Sequence, residues 1–520
     1  MGRTEKALYN ILFSIASNVL ILILKFFNRT ILLWTLGEEY LGISGLFSSI
    51  FSILDLAELG IGTAITFSMY KPLAEKDKEK VKSLMQLYKK SYVMIGIVIL
   101  GIGILLFPIL PYIIKDKAEL VNVNAIYLLY LVQAVSSYCF FSYKSAIIGA
   151  DQKEYKITRL NMICQMINAV LQCLVLLVFH SFVLFVAINI AVTICKNYIS
   201  ARMAEKLYPY IKEADIQELK IEEKTKIKDN IKGMALYKIS SKVLSSTDNI
   251  IISAFIGVAM VGKYENYNYF WMVAIAICTM FFNSYTPSIG NLYATEMKEK
   301  VEEFFKTLNF ANFWIYGFFS VLLYILMSPF IELWFGKRFV LSNTIAILVV
   351  TNLATSGLQN AVITYKDACG LFYKGRYRPA CSAILNLVLS LILVKNWGVA
   401  GVILATIISR FLTTWWFDAW MVYHYIFEKS PIVYYGKYLY HLFCIGLSCA
   451  IAQMICKKIM LQLNWGTFFV SGIVTALITL LAFFILNFWM RDFHSFIQLL
   501  KKLILKIMKK YSGSVVKTKI

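Results

Sequence analysis

The stretch ILFSIASNVLILILKFFNRTILLWTLGEEYLGISGLF, Ile11 to Phe47, decides the class of fold. Between Ile11 and Leu36 only Lys25 and Arg29 carry charge. A helix rises about 1.5 Å per residue, so about 20 apolar residues cross the roughly 30 Å of hydrocarbon in a bilayer. This run is long enough. It is also too long for the apolar core of a cleavable signal, and it has a basic and an amide residue inside it, so a retained first span is expected.

Outward from this stretch, similar runs recur along the whole chain. Hydrophobic residues make up 59% of the 520 and charged residues 16%, against about 45–50% and about 25% in soluble domains. We read an all-α, polytopic membrane protein with about fourteen spans, near 8–36, 41–70, 91–114, 121–149, 157–179, 182–206, 230–256, 262–292, 304–328, 340–365, 377–395, 399–424, 437–458 and 465–490. Residues 207–229 are the longest polar interruption and divide the chain into a six-helix lobe at 1–206 and a second at 230–424. Two additional spans follow at 425–490, then a basic tail at 491–520. Within that tail, Phe493, Phe496, Leu499, Leu500, Leu503 and Ile504 oppose Lys501, Lys502 and Lys506, the pattern of a helix lying on a membrane surface.

The net charge of +22 would suggest nucleic acid in a soluble protein. Here it follows topology, and no nucleic-acid partner is expected. With the N-terminus in the cytoplasm, 37 Lys and Arg residues fall on the cytoplasmic side and eight on the other, which places both termini inside. The ten cysteines sit almost entirely in apolar segments, with no C-x-x-C pair and no Cys/His cluster, so neither a metal nor a cofactor is expected. The short outward loops leave no room for a catalytic domain, and no nucleotide loop or nucleophile–base set is present, which argues against an enzyme.

Seven basic residues remain inside or near the spans: Lys25, Arg29, Lys144, Lys196, Lys238, Lys242 and Arg410. A cation at mid-membrane costs about 2.5–3.5 kcal/mol on insertion scales. Lys144, Lys196 and Arg410 lie near span ends, where their heads reach the interface. Lys25 and Arg29 lie deeper, spaced i and i+4 on one face, and are expected to line a wet cavity. Asp55 and Glu58, i and i+3 beside Gly60 and Gly62, are expected to neutralise them or to carry protons.

Shifting the chain by 220 residues aligns Asn10-Ile11 with Asn230-Ile231, Leu24 with Leu244, Ile31 with Ile251, Gly37 with Gly257 and Gly42 with Gly262. The polar stripe follows the same shift: Asn18 falls on Lys238, Lys25 on Ser245, Asn28 on Asp248 and Arg29 on Asn249, with Lys242 beside them. A six-span half repeated in the same orientation implies parallel repeats about an axis along the membrane normal. Thr286-Pro287-Ser288-Ile289-Gly290 is expected to break or kink a helix, as a hinge or as a span terminus.

Three segments carry a resemblance: Lys25-Phe26-Phe27-Asn28-Arg29; Leu36-Gly37-Glu38-Glu39-Tyr40-Leu41-Gly42-Ile43-Ser44-Gly45-Leu46-Phe47; and Leu56-Ala57-Glu58-Leu59-Gly60-Ile61-Gly62-Thr63-Ala64, continuing to Tyr70-Lys71-Pro72-Leu73-Ala74. This region resembles the Wzx-type bacterial polysaccharide transporters, the O-antigen and teichoic-acid exporters, which share a superfamily with the multidrug MATE exporters and the lipid II flippase. The resemblance is sharp over 25–90. It implies a MATE-like two-lobed bundle in the bacterial cytoplasmic membrane, a cationic central cavity, and movement of an undecaprenyl-pyrophosphate-linked oligosaccharide between leaflets. It also implies a polysaccharide polymerase and glycosyltransferases as partners. Lys25 and Arg29 in one lobe, with Lys238 and Lys242 in the other, would then bind the pyrophosphate, for which a guanidinium fork and ammonium charges are suited. Asp55, Glu58 and Asp248 would serve coupling or charge pairing. The competing reading is a MATE-type multidrug or cation antiporter, for which these same carboxylates would be the substrate-facing groups.

Overall fold

The computed structural model describes residues 3–58, 60–115, 122–213, 219, 225, 246–283, 285–371, 374–375 and 377–501, with side chains from Ser17 onward except at 56, 57 and 283. All regular structure among the described residues is helical. Among the described residues, eleven helical stretches are long and apolar enough to span a membrane, and the protein is a multi-pass membrane protein. One of them, Arg378–Phe427, is 50 residues long and holds Gly398 at φ 55° and ψ −134°. Gly401 comes back so close to Leu393 that a Cβ on it would lie 2.3 Å from the Leu393 carbonyl oxygen. The stretch is therefore a helical hairpin, and the separate spans expected at 377–395 and 399–424 are its two arms.

The elements that position the site are α1 (Arg3–Leu36), α2 (Glu38–Leu54), α3 (Ile61–Ala74), α4 (Lys78–Leu106), α5 (Val123–Cys139), α6 (Glu154–Phe179), α7 (Phe182–Leu207), α8 (246–255) and α9 (Val258–Asn283). The span expected at 41–70 is not one helix. A 3-10 turn at Asp55–Glu58 and Gly60 at φ 81° separate α2 from α3. The two carboxylates that the sequence places mid-span account for the break, because each bonds a tyrosine of a neighbouring helix there rather than facing lipid.

Two compact units are present. The first comprises Met1–Glu265 with Arg376–Ala405, and the second Asn266–Gly375 with Thr406–Ile520. Their bounds differ from the sequence division, because 246–265 and 376–405 pack with the first unit. In the first, Phe47 and Phe51 of α2 pack on Tyr127 and Tyr130 of α5 at 5.4–6.3 Å between rings. In the second, Phe305, Phe310, Phe313, Tyr365, Tyr434 and Phe483 form a buried aromatic core. Phe493 and Phe496 lie against Phe310 and Trp314. The amphipathic segment thus buries its leading apolar residues in protein, where a surface helix would offer them to lipid; its residues from 502 onward lie outside the described set.

Pro287 stands in the first turn of the helix Thr286–Thr295, directly after α9 ends. A missing N–H costs nothing there, so the break is a helix start and not an interior kink.

Candidate functional site

The 220-residue shift reappears in space. Gly37 (φ 94°) and Gly257 (φ 139°) both hold backbone conformations that favour glycine, and each immediately precedes a helix, α2 and α9. Those helices then cross at Gly42 and Gly262. A Cβ on Gly42 would lie 2.0 Å from the carbonyl oxygen of Val258, and one on Gly262 would lie 2.1 Å from that of Glu38. Val258 is Glu38 shifted by 220, so the two contacts exchange under the repeat. Side chains at both positions would collide with backbone, which explains why small residues stand there.

The same exchange organises the polar groups. Arg29 Nη1 lies 3.4 Å from Glu265 Oε2. Shifting each partner by 220 in opposite senses gives Asn249 and Gly45, and Asn249 Nδ2 donates to the Gly45 carbonyl at 3.4 Å. Asn249 Nδ2 also reaches Ser49 Oγ at 3.0 Å and Glu265 Oε1 at 2.7 Å. Gly45 and Glu265, themselves repeat equivalents, meet near the pseudo-axis: a Cβ on Gly45 would lie 3.0 Å from Glu265 Cγ. Lys263 pairs with Glu38 at 3.5 Å beside them. Arg29 and Glu265 side chains are 11% and 16% exposed, so desolvation is substantial and each charge depends on its partner.

Asp55 and Glu58, expected to neutralise Lys25 or Arg29 or to carry protons, each accept a hydrogen bond from a tyrosine. Asp55 Oδ1 accepts from Tyr138 at 3.1 Å, and Glu58 Oε1 from Tyr92 at 3.0 Å, which is in turn 3.2 Å from Tyr88. Glu58 lines a polar cavity of about 460 Å³ inside the first unit, together with Tyr88, Tyr92, Tyr138, Asn161 and Lys196. Arg29 pairs with Glu265. Lys25 is exposed, one turn before Arg29 on α1. Asn28 turns the other way, donating to Gln172 of α6 at 2.9 Å and accepting from Cys173 at 2.6 Å. Asp248 is half-buried on α8, next to Asn249. Lys238 and Lys242 lie outside the described residues. Of the predicted site, the structure therefore brings Asp55 and Glu58 together, and separately joins Arg29 to the repeat crossing.

Two of the three end-of-span cations bond protein groups, and the third sits at a cavity. Lys144 pairs with Glu205 at 2.5 Å, Arg410 donates to Asn352 Oδ1 at 2.7 Å, and Lys196 is half-buried at the polar cavity. Sequence reading did not single out Glu265, Tyr92 or Tyr138. For Glu265 a signal existed: an acidic residue in an apolar segment, at the repeat equivalent of Gly45. For the tyrosines none did, since the chain has 32 of them.

The fold defines a class, the MATE-like helical bundle. The MatE family model matches residues 12–174. Among solved structures, the lipid II flippase MurJ in an inward closed conformation matches at 15% identity with a TM-score of 0.60, covering 90% of this chain and 98% of that one. An inward-facing multidrug resistance MATE transporter of the MOP superfamily matches at 16% identity and 0.55, covering 75% and 91%. The Vibrio cholerae MATE transporter VcmN matches at 17% and 0.53, covering 79% and 94%. No curated protein sequence matches the chain.

Proposed function

We propose that the protein is a flippase that moves an undecaprenyl-pyrophosphate-linked oligosaccharide across the bacterial cytoplasmic membrane, with both termini on the cytoplasmic side, for surface polysaccharide such as O-antigen or teichoic acid. The observation that carries this reading is the extent of the likeness to a lipid II flippase, 90% of this chain, against 75% and 79% for two MATE transporters. The length beyond the MATE bundle thus has a counterpart in a protein named for a lipid-linked substrate. The basic stripe supports the same reading, since a pyrophosphate entering a low-dielectric interior needs cations to offset lost hydration. In this proposal Lys25 makes the first contact, and Arg29 exchanges Glu265 for the phosphate. Lys238 and Lys242 supply charge from the second repeat. A polymerase and glycosyltransferases would consume and supply the substrate.

The test is replacement of Lys25, Arg29, Lys238 and Lys242 by Ala, one at a time, with surface glycan measured in a strain lacking its own exporter. Loss of glycan at normal membrane abundance is expected for Lys25, Arg29 and at least one of the other two. Full glycan from all four variants would overturn the proposal.

A second reading, a MATE-type cation antiporter, is favoured by the Asp55 and Glu58 carboxylates and the polar cavity that Glu58 lines. It predicts that expression raises resistance to cationic dyes and that Glu58→Gln removes the resistance. The flippase reading predicts no change in dye resistance.

A further inference from the structure

A second cavity of the first unit, of about 540 Å³, opens at the charged end of α4. Lys82 and Lys89 of α4, Lys144, Arg202 of α7 and Lys212 line it, and the carboxylates among its lining residues are Glu205 and Glu213. Glu205 alone holds three of these cations: Lys144 at 2.5 Å, Lys212 at 3.0 Å and Arg202 at 3.7 Å. One carboxylate cannot balance three cations. Lys89 is exposed and has no ion pair among the described residues. The cavity therefore keeps a positive field with room for further oxygen ligands.

A basic rim alone would follow from topology. What goes beyond topology is the continuation. A second groove shares Gln86 and Lys89 with the cavity and runs along α4 past Lys90, Val93, Met94 and Ile97. Val93, Met94 and Ile97 are exposed, and α4 carries no charge after Lys90. A compact cationic pocket thus leads directly onto an apolar track at the point where the helix turns from polar to membrane-like. That sequence of surfaces is complementary to one kind of molecule, an amphiphile with an anionic head and a hydrocarbon tail.

We propose that this cavity binds the phosphate headgroup of an anionic lipid, with the lipid chain lying along α4. Arg202 and Lys89 contact the phosphate, and Glu205 holds Lys144 and Lys212 in place around it. Arg202 is oriented for this: its Nε donates to the Tyr198 hydroxyl at 3.0 Å and its Nη1 lies 3.7 Å from Glu205, which fixes the guanidinium at the cavity wall. The site lies apart from Arg29 and Glu265, and the inference does not depend on the transport reading.

The experiment uses the purified, delipidated full-length protein in detergent. Fluorescent phosphatidylglycerol, phosphatidylcholine of the same chain length, and undecaprenyl phosphate are titrated, with sodium pyrophosphate as soluble competitor. Tighter binding of an anionic lipid than of phosphatidylcholine, weakened by salt, is expected. The double variant Lys89→Gln, Arg202→Gln should lose roughly 20-fold in that affinity, at about one surface charge contact each, with phosphatidylcholine binding and melting temperature unchanged. Preference for phosphatidylglycerol assigns the site to bulk membrane lipid, and preference for undecaprenyl phosphate assigns it to a polyprenyl carrier. Equal binding of phosphatidylglycerol, undecaprenyl phosphate and phosphatidylcholine by the unaltered protein overturns the proposal. So does pyrophosphate that binds as tightly as either lipid, because the apolar track would then contribute nothing.

Discussion

Arg29 was legible as a residue of consequence because a guanidinium inside an apolar run is costly; its partner was not, because Glu265 is 236 residues away and only folding brings the two together. The pair sets a clear expectation. Arg29→Ala takes the guanidinium away from the mostly buried Glu265 carboxylate and should lower membrane abundance. Adding Glu265→Gln removes that charge and should restore abundance without restoring glycan export, which separates the structural share of Arg29 from its proposed phosphate contact. Lys366 and Asp418 make a sharper case, 3.2 Å apart with both side chains 3% exposed. Lys366→Met should destabilise the second unit by about 3–5 kcal/mol, read as lost thermal retention in size-exclusion chromatography. Adding Asp418→Leu should recover part of it, because the buried carboxylate that lost the ammonium is then removed as well. A weaker coupling lies between spans. Asp151 accepts from Tyr208 at 2.6 Å and pairs with Lys153 at 2.6 Å. Desolvation raises its pKa, but the hydrogen bonds from Lys153 and Tyr208 outweigh it and hold the carboxyl below its ordinary value. The Tyr208 hydroxyl is pushed up to about 12, first by burial and then by that carboxylate. A depressed folded pKa gives stability that is present above the unfolded value of about 3.9 and lost as pH falls through the folded value. Melting temperature should therefore decline from about pH 4 downward, and Asp151→Asn should flatten that decline.

At the scale of elements, apolar run length located most helices because the bilayer imposes it. Where local residues contradicted the run, length failed. Asp55, Glu58 and Gly60 sit inside an apolar stretch that reads as one span, and the structure breaks it into α2 and α3 around them. Gly398 acts oppositely, reversing the chain within one uninterrupted helical assignment. The crossing of α2 and α9 is tightest at Gly42 and Gly262, since each faces a carbonyl oxygen of the other helix. Gly42→Ala or Gly262→Ala should force the helices apart and cost about 1–3 kcal/mol by overpacking. Gly436→Ala, at a helical position with open space around it, should stabilise slightly or do nothing. Comparing melting temperatures of the three variants checks the assignment. Equal behaviour would mean that the crossing is not tight.

At the scale of the molecule, six identities in a 220-residue shift were a faint trace of a repeat, because apolar helices conserve volume and hydropathy more readily than residue type. The contacts make it concrete: 42 with 258 and 262 with 38, 29 with 265 and 249 with 45. Under the proposed transport cycle this has a mechanical consequence. Parallel repeats exchange access by moving against each other about their shared axis, and the groups on that axis must part in one of the two states. Glycine-to-backbone contacts at about 2 Å from a notional Cβ leave little slack for sliding, so under that cycle the crossing would have to open rather than slide. Ser49 and Asn249 span it with side-chain ends 3.0 Å apart. In a variant with the ten native cysteines replaced, Ser49→Cys with Asn249→Cys joined by a short bis-methanethiosulfonate, which holds each thiol through a reducible disulfide, should hold the crossing shut. Glycan export should then stop and return on reduction, while either single cysteine treated with the same reagent keeps exporting. Export that continues at full rate with the cross-link complete would mean that the crossing is a permanent part of the scaffold and that access changes elsewhere in the fold.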